Sequence, residues 1–317
     1  MLRWRGLDDV PTGWGRSVVT VGVFDGVHRG HQKLIGRAVS VAAARGLPSV
    51  LVTFDPHPTE VVRPGAHPAQ LTTLARRAEL VGELGISALL VLPFNTEMAR
   101  QPADEFAHEV LVERLHAAAV LVGDNFTFGQ GAKGDVPMLR QLGRRFGFAV
   151  EGLELITDTT EPGNGVTFSS TYIRACIDGG DVALAAQALG RPHRLEGVVV
   201  RGDRRGHELG FPTANLAPTP FAAVPADGVY ACWFVHGKRT LPAAVSVGTN
   251  PTFSGRQRTV EAYVLDVDED FYGHQVALDF VERLRGMERF DSVDALVEQM
   301  GRDVVRTREL LADPATG

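Results

Sequence analysis

The strongest constraint on the fold is an alternation of short apolar runs with helix-like segments through the first half of the chain. Five runs have the continuous apolar character of buried strands, namely residues 18–24, 49–54, 87–94, 118–123 and 148–153. Segments with helical spacing separate them, namely residues 31–45, 71–84, 103–116 and 136–146. Apolar strands that alternate with helices are typical of a parallel sheet covered on both faces. We therefore predict an N-terminal α/β module with a doubly wound parallel sheet of the Rossmann type.

The pattern changes near residue 190. A helix-like segment at residues 172–189 is followed by short β-rich runs that glycine, proline and aspartate turns separate. These runs are residues 197–201, 228–235, 243–247, 259–267 and 275–281. Such spacing predicts a small antiparallel β-barrel, followed by a terminal amphipathic helix at residues 292–311. We place the two modules at residues 1–187 and 188–317, as the length of 317 residues favours two domains.

Composition narrows the class of protein. The chain is 44% hydrophobic and 22% charged, which excludes wholesale disorder. The formal net charge of −6 argues against a general attraction to nucleic acid or to acidic membranes. Two cysteines, Cys176 and Cys232, are too few for a disulfide framework or a multi-cysteine zinc site. Without an apolar leader in Met1–Gly15 or a membrane-length apolar run, we expect the cytoplasm.

The first candidate site is the loop that follows the first predicted strand and opens a helix. It contains Gly22, Gly26 and Gly30, and glycines allow a backbone to approach a ligand closely. A helix N-terminus attracts anions, and His28 and His31, three residues apart, project to one side of a helical turn. The pair is suited to contact phosphates. A zinc site is the weaker alternative, because zinc normally takes three or four protein ligands and the sequence shows no certain third one.

Two further strands of the predicted sheet end in polar loops, where ligands of such sheets bind. Residues 55–58 form a proline-rigid turn around His57, and Asn125 carries an amide suited to a ribose or a base edge. Ser170 and Thr171 precede a helix-like run, and Arg174 shares a helical face with Thr171 and is able to bind a phosphate. Plain turns, an Asx-turn at Asn125 and a helix cap at the serines are the alternatives that the residues leave open.

The second candidate site lies in the predicted barrel. Residues 202–215 are punctuated by Gly202, Gly206 and Gly210, and they end in Thr213 and Asn215. Residues two apart in an extended segment face the same side, so a hydroxyl and an amide oxygen are available together for Mg²⁺. Glu261 begins a strand-like run of alternating apolar and polar residues, so it can lie on the face opposite the core. Most carboxylates in that position are simply solvated, and this is the alternative to a role in the site.

Several motifs carry a resemblance to a known family. Residues 21–32 resemble the histidine-x-glycine-histidine signature of nucleotidyltransferases, and more narrowly the N-terminal module of bacterial bifunctional riboflavin kinase/FAD synthetases. Residues 53–58, 123–129 and 169–174 match that family in order. Residues 202–215 are similar to the flavokinase motif, and supporting segments follow at residues 226–230, 247–253, 260–266, 271–273 and 284–290. The resemblance covers Val18 to Leu310.

For the N-terminal module, the resemblance implies transfer of AMP from ATP to FMN, which gives FAD and pyrophosphate. His28 and His31 would be catalytic contacts to the ATP phosphates. The implied ATP-binding residues are Gly22, Phe24, Asp25, His28, Gly30, His31, Asn125, Ser170, Thr171 and Arg174.

For the barrel, the resemblance implies phosphorylation of riboflavin by ATP, which gives FMN. Glu261 would be the catalytic base, Thr213 and Asn215 would hold Mg²⁺, and Arg285 would help to bind the flavin. The implied ATP-binding residues of this module are Gly202, Gly206, Gly210, Thr213 and Asn215. Riboflavin, FMN, FAD and ATP are then substrates or products, and we expect the protein to bind neither nucleic acid nor a membrane.

The sequence departs from the family pattern at three places. Thr167 stands roughly where some relatives carry an arginine before the serine pair, so one phosphate contact is either missing or supplied by another residue. His207 stands where many relatives have arginine, and His193 where an apolar residue often follows Arg-Pro.

Two other functions remain as alternatives. The N-terminal motif alone permits a nucleotidyltransferase with another acceptor, such as a pantetheine phosphate or a nicotinamide nucleotide, but the barrel with Thr213 and Asn215 argues against it. The other alternative is a flavin-binding regulator that has lost its catalytic sites. Intact His28, Arg174 and Glu261 argue against such a loss. An aminoacyl-tRNA synthetase is disfavoured, because in those enzymes a lysine-rich loop accompanies such histidine motifs, and the three lysines here are scattered.

Overall fold

A computed structural model describes residues 1–154, 167–202, 210–252 and 255–312. The chain divides into two compact units. The first comprises Met1–Pro68 and Leu74–Ser169, and the second comprises Ala69–Thr73 and Ser170–Gly317. The predicted boundary between the two modules, at residues 187 and 188, stays a prediction.

The first unit is built on a sheet of six strands that are all parallel. The strands are β1 (Leu2–Arg5), β2 (Ser17–Val21), β3 (Ser49–Asp55), β4 (Ala88–Pro93), β5 (Ala117–Gly123) and β6 (Ala149–Leu153). Their order is β1-β4-β3-β2-β5-β6, which confirms the predicted doubly wound parallel sheet. Strand β1 was not predicted, because Trp4 is its one buried residue and it shows no continuous apolar run.

Helices cover both faces of this sheet. They are α1 (Arg29–Ala44), α2 (Pro58–Val62), α3 (Leu74–Glu83), α4 (Thr96–Arg100), α5 (Ala103–Phe106) and α6 (Val136–Phe146). Neighbouring residues of β3 pack in different cores, with Val50 and Val52 in one and Leu51 in the other. The continuous apolar runs therefore reflect burial on two sides. The helix predicted at residues 103–116 is correct at its start, but it continues after α5 as a π-helix over Ala107–Arg114.

The order of the strands creates one switch point. From β2 the chain adds β3 and β4 on one side and then places β5 and β6 on the other. In sheets of this kind the loops that leave two such strands turn away in opposite directions, so a crevice is expected at the carboxyl ends of β2 and β5. Ligands of open α/β sheets bind at such a point.

The second unit is a closed antiparallel barrel with helices before and after it, as predicted. Its strands are β7 (His193–Val200), β8 (Ala214–Pro218), β9 (Gly228–His236), β10 (Arg239–Thr252), β11 (Gly255–Val264) and β12 (Gln275–Arg285). The order around the barrel is β10-β11-β8-β7-β12-β9. Apolar side chains of alternate strand positions fill the interior, including Tyr230, Phe234 and Phe280.

The helices of the second unit are α7 (Ser170–Gly179), α8 (Val182–Leu189) and the terminal α9 (Val293–Ala312). The single helix predicted over residues 172–189 is wrong. The chain breaks at Gly180, whose φ of 84° is open to glycine at little steric cost. The N–H of Asp181 then bonds to the carbonyl of Cys176, which ends α7 and redirects the backbone into α8.

A short segment between α2 and α3 belongs to the second unit. The N–H of Gln70 donates to the carbonyl of Phe221 at 2.7 Å, and the N–H of Ala223 donates to the carbonyl of Gln70 at 2.9 Å. The Thr73 hydroxyl donates to Glu196 at 2.6 Å. These bonds attach Ala69–Thr73 to the connection between β8 and β9 and to β7.

Candidate active sites

The two histidines of the first unit form a stacked pair at the start of α1. His28 is the N-cap residue, and its Nδ1 accepts the backbone N–H of His31 at 3.4 Å. The rings stack with centroids 3.6 Å apart at an interplanar angle of 23°. Because Nδ1 of His28 is an acceptor, Nε2 carries the proton in the neutral ring and is a donor. The pair therefore presents a ring N–H at a helix N-terminus.

His31 is held neutral by its surroundings. Burial lowers the pKa of His31 well below its usual value, and the charges of His28 and Arg77 lower it further. Its Nδ1 is buried and has no hydrogen-bond partner within the described ranges. Phe24 closes the other side, with its ring edge-on to that of His31 at 5.1 Å. A neutral imidazole contributes a directed hydrogen bond here rather than a full charge.

Glycines provide the space that the loop needs. A Cβ at Gly30 would lie 3.0 Å from Cε1 of His28, which is tighter than ordinary van der Waals contact, so a side chain there would press on the His28 ring. A Cβ at Gly22 would lie 3.1 Å from the ring of Phe24. Both glycines were predicted to serve close approach to a ligand, and the structure shows that they accommodate the neighbouring rings.

Two of the other predicted loops meet the same edge of the sheet. His28 follows β2, residues 55–58 follow β3 and Asn125 follows β5, and these three strands are neighbours in the order β3-β2-β5. Asn125 lies exposed in a turn directly after β5. The nearby His57 caps α2, since its Nδ1 accepts the N–H of Thr59 at 3.1 Å. The predicted loops after β2, β3 and β5 thus lie at one edge of the sheet, next to the switch point.

The remaining residues predicted for this ATP site lie in the second unit. Ser170 and Thr171 form the first turn of α7, and Thr171 is exposed. Arg174 is half-buried, and its Nε donates to the carbonyl of Ala69 at 2.6 Å. That these residues bind the same nucleotide as His28 and His31 stays a prediction.

The second site brings together three residues of the barrel, namely Thr213 just before β8, Asn215 on β8 and Glu261 on β11. Asn215 on β8 and Glu261 on β11 are directly opposed in the antiparallel ladder, so their side chains share one face. The hydroxyl of Thr213 donates to Oε2 of Glu261 at 3.4 Å. The neighbours Ala262 and Leu216 are buried in the barrel interior, which places the three polar residues on the outer face.

A cavity of about 370 Å³ lies beside these residues. Gly202, Thr213 and Asn215 line it, as does the connection from β11 to β12 at residues 267–272. Gly210 precedes β8 with a φ of 83°, which favours glycine. Gly206 and His207 lie outside the described residues. Sequence reasoning missed residues 267–270, although the run Asp268-Glu269-Asp270 was a visible signal, and it noted residues 271–273 only as a supporting segment of the resemblance.

The donor set of this site fits Mg²⁺. A hydroxyl, an amide oxygen and a carboxylate converge, and hard oxygen donors are the ligands that Mg²⁺ takes in proteins. Within the described ranges no group of three or more histidine, cysteine or acidic residues forms a metal site. Binding of the predicted ion by Thr213 and Asn215 stays a prediction.

Arg285 lies at the end of β12 and binds the terminal helix. Its Nη2 donates to Oδ2 of Asp303 at 2.8 Å, and its Nε is 3.1 Å from both carboxylate oxygens. Both side chains are largely buried, and the guanidinium also lies over the ring of Phe290 at 5.7 Å. The arginine predicted to bind flavin thus anchors α9 to the barrel, and a role in flavin binding stays a prediction.

The two sites define a two-module nucleotide-dependent transferase, and comparison with known proteins agrees. Residues 11–170 match the FAD synthetase family model, and residues 189–311 match the riboflavin kinase model. Bifunctional riboflavin kinase/FMN adenylyltransferases are similar over nearly the full length. The protein from Escherichia coli K12 is 35% identical over 94% of both chains, and that from Pseudomonas fluorescens is 36% identical over 98% of both.

A solved structure shares the whole fold. It is the crystal structure of a Streptococcus pneumoniae protein described as a macrolide-efflux protein, with a TM-score of 0.87 and 33% identity. The match covers 97% of this chain and 99% of that one. Across the part of this chain that the structure describes, none of the helices has the length and apolar character of a membrane span.

The chain belongs to the family of bifunctional riboflavin kinase/FMN adenylyltransferases. The order of its modules, with FAD synthetase before riboflavin kinase, agrees with the prediction from the sequence motifs. Flavins and ATP as substrates fit this family.

Proposed function

We propose that the barrel phosphorylates riboflavin and that the first module adenylates the resulting FMN. The convergence of Thr213, Asn215 and Glu261 beside a cavity carries the first assignment. The histidine pair at the start of α1 carries the second. We assign the two modules to residues 1–187 and 188–317, acting in the cytoplasm.

In the barrel, Glu261 accepts the proton of the riboflavin 5′-hydroxyl. A bond then forms between that oxygen and the γ-phosphorus of ATP, the bond to the β,γ-bridging oxygen breaks, and ADP leaves. The Thr213 hydroxyl and the Asn215 amide would hold Mg²⁺, which neutralises charge on the phosphates when bound. Positioning of the two substrates supplies most of the catalysis in such a transfer, so one carboxylate suffices as base.

Gly202, Gly206 and Gly210 would let the backbone come close to the triphosphate in this site. Arg285 would reach the flavin from the end of β12.

In the first module, a phosphate oxygen of FMN attacks the α-phosphorus of ATP, and pyrophosphate leaves. The Nε2–H of His28, the ring of His31 and the free N–H groups at the start of α1 would stabilise the charge that develops on the phosphates. Gly22, Phe24, Asp25 and Gly30 shape the loop around this pair. Asn125, Ser170, Thr171 and Arg174 would bind the rest of the nucleotide.

Incubation with riboflavin, ATP and MgCl₂ tests both assignments in one chain. Chromatography is expected to show FMN first and FAD later. Accumulation of FMN without FAD would overturn the role of the first module, and absence of FMN would overturn that of the barrel. Nicotinamide mononucleotide and phosphopantetheine, supplied with ATP in place of FMN, test the other acceptors, and we expect no adenylylated product from either.

The double variant His28→Ala, His31→Ala separates the two activities. It is expected to abolish FAD formation and to leave FMN formation unchanged. Loss of both activities in a folded chain would contradict the division of labour.

A further inference from the structure

A buried arginine lies beneath the histidine loop of the first unit. The Arg77 side chain, on α3, is only 6% exposed. Its Nη1 donates to Oγ1 of Thr53 at 3.3 Å, and its Nη2 lies 3.6 Å from Oδ1 of Asp25. The Thr53 hydroxyl in turn donates to the carbonyl of Val23 at 2.9 Å. The guanidinium thus links the end of β3 to the loop that follows β2.

The ion pair between Arg77 and Asp25 is not explained by its contribution to stability alone. The Asp25 side chain is 2% exposed, so both charges have lost most of their hydration. The attraction between two buried charges often does no more than offset that loss, and an apolar pair of similar volume would often serve as well. An ion pair at this position is better explained by the geometry that it imposes on its neighbours.

The loop held by this pair has a strained backbone. Phe24 has a φ of 53° and Val27 a φ of 41°, and Gly26 between them has a φ of 82°. Positive φ is uncommon for an aromatic residue and a clear outlier for a β-branched one. Such conformations persist where the surrounding structure determines them, and they cluster at functional sites. The loop ends at His28, so its conformation sets where the N-cap ring lies.

The charge of Arg77 also acts on the second histidine. Burial is the main reason that the pKa of His31 is low, and the charges of His28 and then Arg77 lower this pKa further. Asp25, within the loop after β2, carries the opposite charge. Arg77 therefore favours the neutral form of His31, in which the ring stacks on His28 without charge repulsion.

We propose that Arg77 is a positioning residue for adenylyl transfer, which through Asp25 fixes the turn that presents His28 and His31 to the ATP phosphates. The inference rests on the proposed function of the first module. Because Arg77 is almost fully buried, it acts through Asp25 and the loop rather than by contact with the nucleotide.

Variants of Arg77 in the full chain test this role. Arg77→Met is expected to lower kcat for FAD formation from FMN about tenfold to a hundredfold, with a smaller change in KM for ATP, since a misplaced donor weakens transition-state stabilisation. Arg77→Lys keeps the charge and should recover part of the loss. Riboflavin phosphorylation by the same chain is expected to stay unchanged. Arg76→Met, on the same helix, is the matched control and should adenylate at the wild-type rate.

Two measurements separate positioning from a general loss of structure. An NMR titration of the histidine rings should show a higher pKa for His31 in Arg77→Met, since a nearby positive charge is gone. The paired variant Asp25→Asn, Arg77→Met leaves no unpaired buried charge and is expected to fold but to adenylate slowly. If this paired variant folds and forms FAD at the wild-type rate, the inference is wrong. Failure of the wild-type chain to form FAD would instead overturn the proposed function.

Discussion

Gly202 lies directly against the side chain of Asn215. A methyl group at position 202 would fall 2.3 Å from Nδ2 of Asn215 and 2.5 Å from Oδ1. Both residues line the cavity beside Glu261. The amide predicted to hold the ion therefore keeps its place only if position 202 has no side chain.

Replacement Gly202→Ala is expected to slow riboflavin phosphorylation about tenfold or more, because a shift of about 1 Å in the position of Asn215 is sufficient for such a loss. Steady-state rates of FMN formation at varied ATP and MgCl₂ measure it. Gly301→Ala is the matched control, since no atom lies within 4 Å of the new methyl group inside α9. The control should retain full activity, and a full rate in Gly202→Ala would contradict the placement of Asn215 in the site.

The variant Glu261→Gln keeps the size of the side chain and removes the base. General-base catalysis contributes about a hundredfold to ten-thousandfold, so kcat for FMN formation is expected to fall in that range. FAD formation from added FMN should be unaffected. The exposed Glu282 on β12 provides the control variant Glu282→Gln. A small effect in Glu261→Gln would show that positioning alone carries the phosphoryl transfer.

Two glycines of α1 form a natural comparison. A Cβ at Gly30 would meet the His28 ring at 3.0 Å, whereas nothing lies within 4 Å of one at Gly36. Gly30→Ala is expected to displace His28 and to lower FAD formation by about tenfold. Gly36→Ala should leave the rate unchanged and raise the free energy of unfolding by about 0.5–1 kcal/mol, as alanine favours the helix interior. Equal rates in the two variants would argue against a role of the His28 ring.

Acid should weaken the first unit through His31. The folded state lowers the pKa of His31 below the value of 6.5 that applies to the unfolded chain. The unfolded state therefore binds a proton more readily, and stability present above pH 6.5 is lost as the pH falls through the folded pKa. Thermal unfolding between pH 7.5 and 5 should show a shallower decline in Tm for His31→Gln than for the wild type. His108→Gln replaces an exposed histidine and should decline like the wild type.

The terminal helix offers a comparison of a buried and an exposed ion pair. Asp303→Asn leaves the largely buried Arg285 without its carboxylate and is expected to destabilise the second unit by about 3 kcal/mol. Glu298→Gln removes an exposed partner of Arg302 on the same helix, where such a pair contributes less than about 1 kcal/mol. Denaturant unfolding measures both. If riboflavin binding survives Asp303→Asn in the folded state, Arg285 does not depend on Asp303 to reach the flavin.

Local patterns predicted most of the elements. Buried parallel strands are apolar on both faces, so β2 to β6 were visible as continuous runs, and α6 was predicted with its bounds at Val136–Phe146. Strand β1 was missed because one buried tryptophan among exposed residues carries no periodic signal. The break at Gly180 was missed because an apolar helical pattern continues on both sides of it.

The sequence by itself determined the class of each module and the residues of its motifs, because strand and helix periodicity and glycine-rich loops are local properties. Tertiary structure alone decided which of these residues meet. Thr213 and Glu261 are 48 positions apart, and their contact depends on the register between β8 and β11. The contact of Arg77 with Asp25 likewise depends on the packing of α3 against the loop after β2. Strand order and register arise from how all elements bury their apolar faces together, and no single segment encodes them.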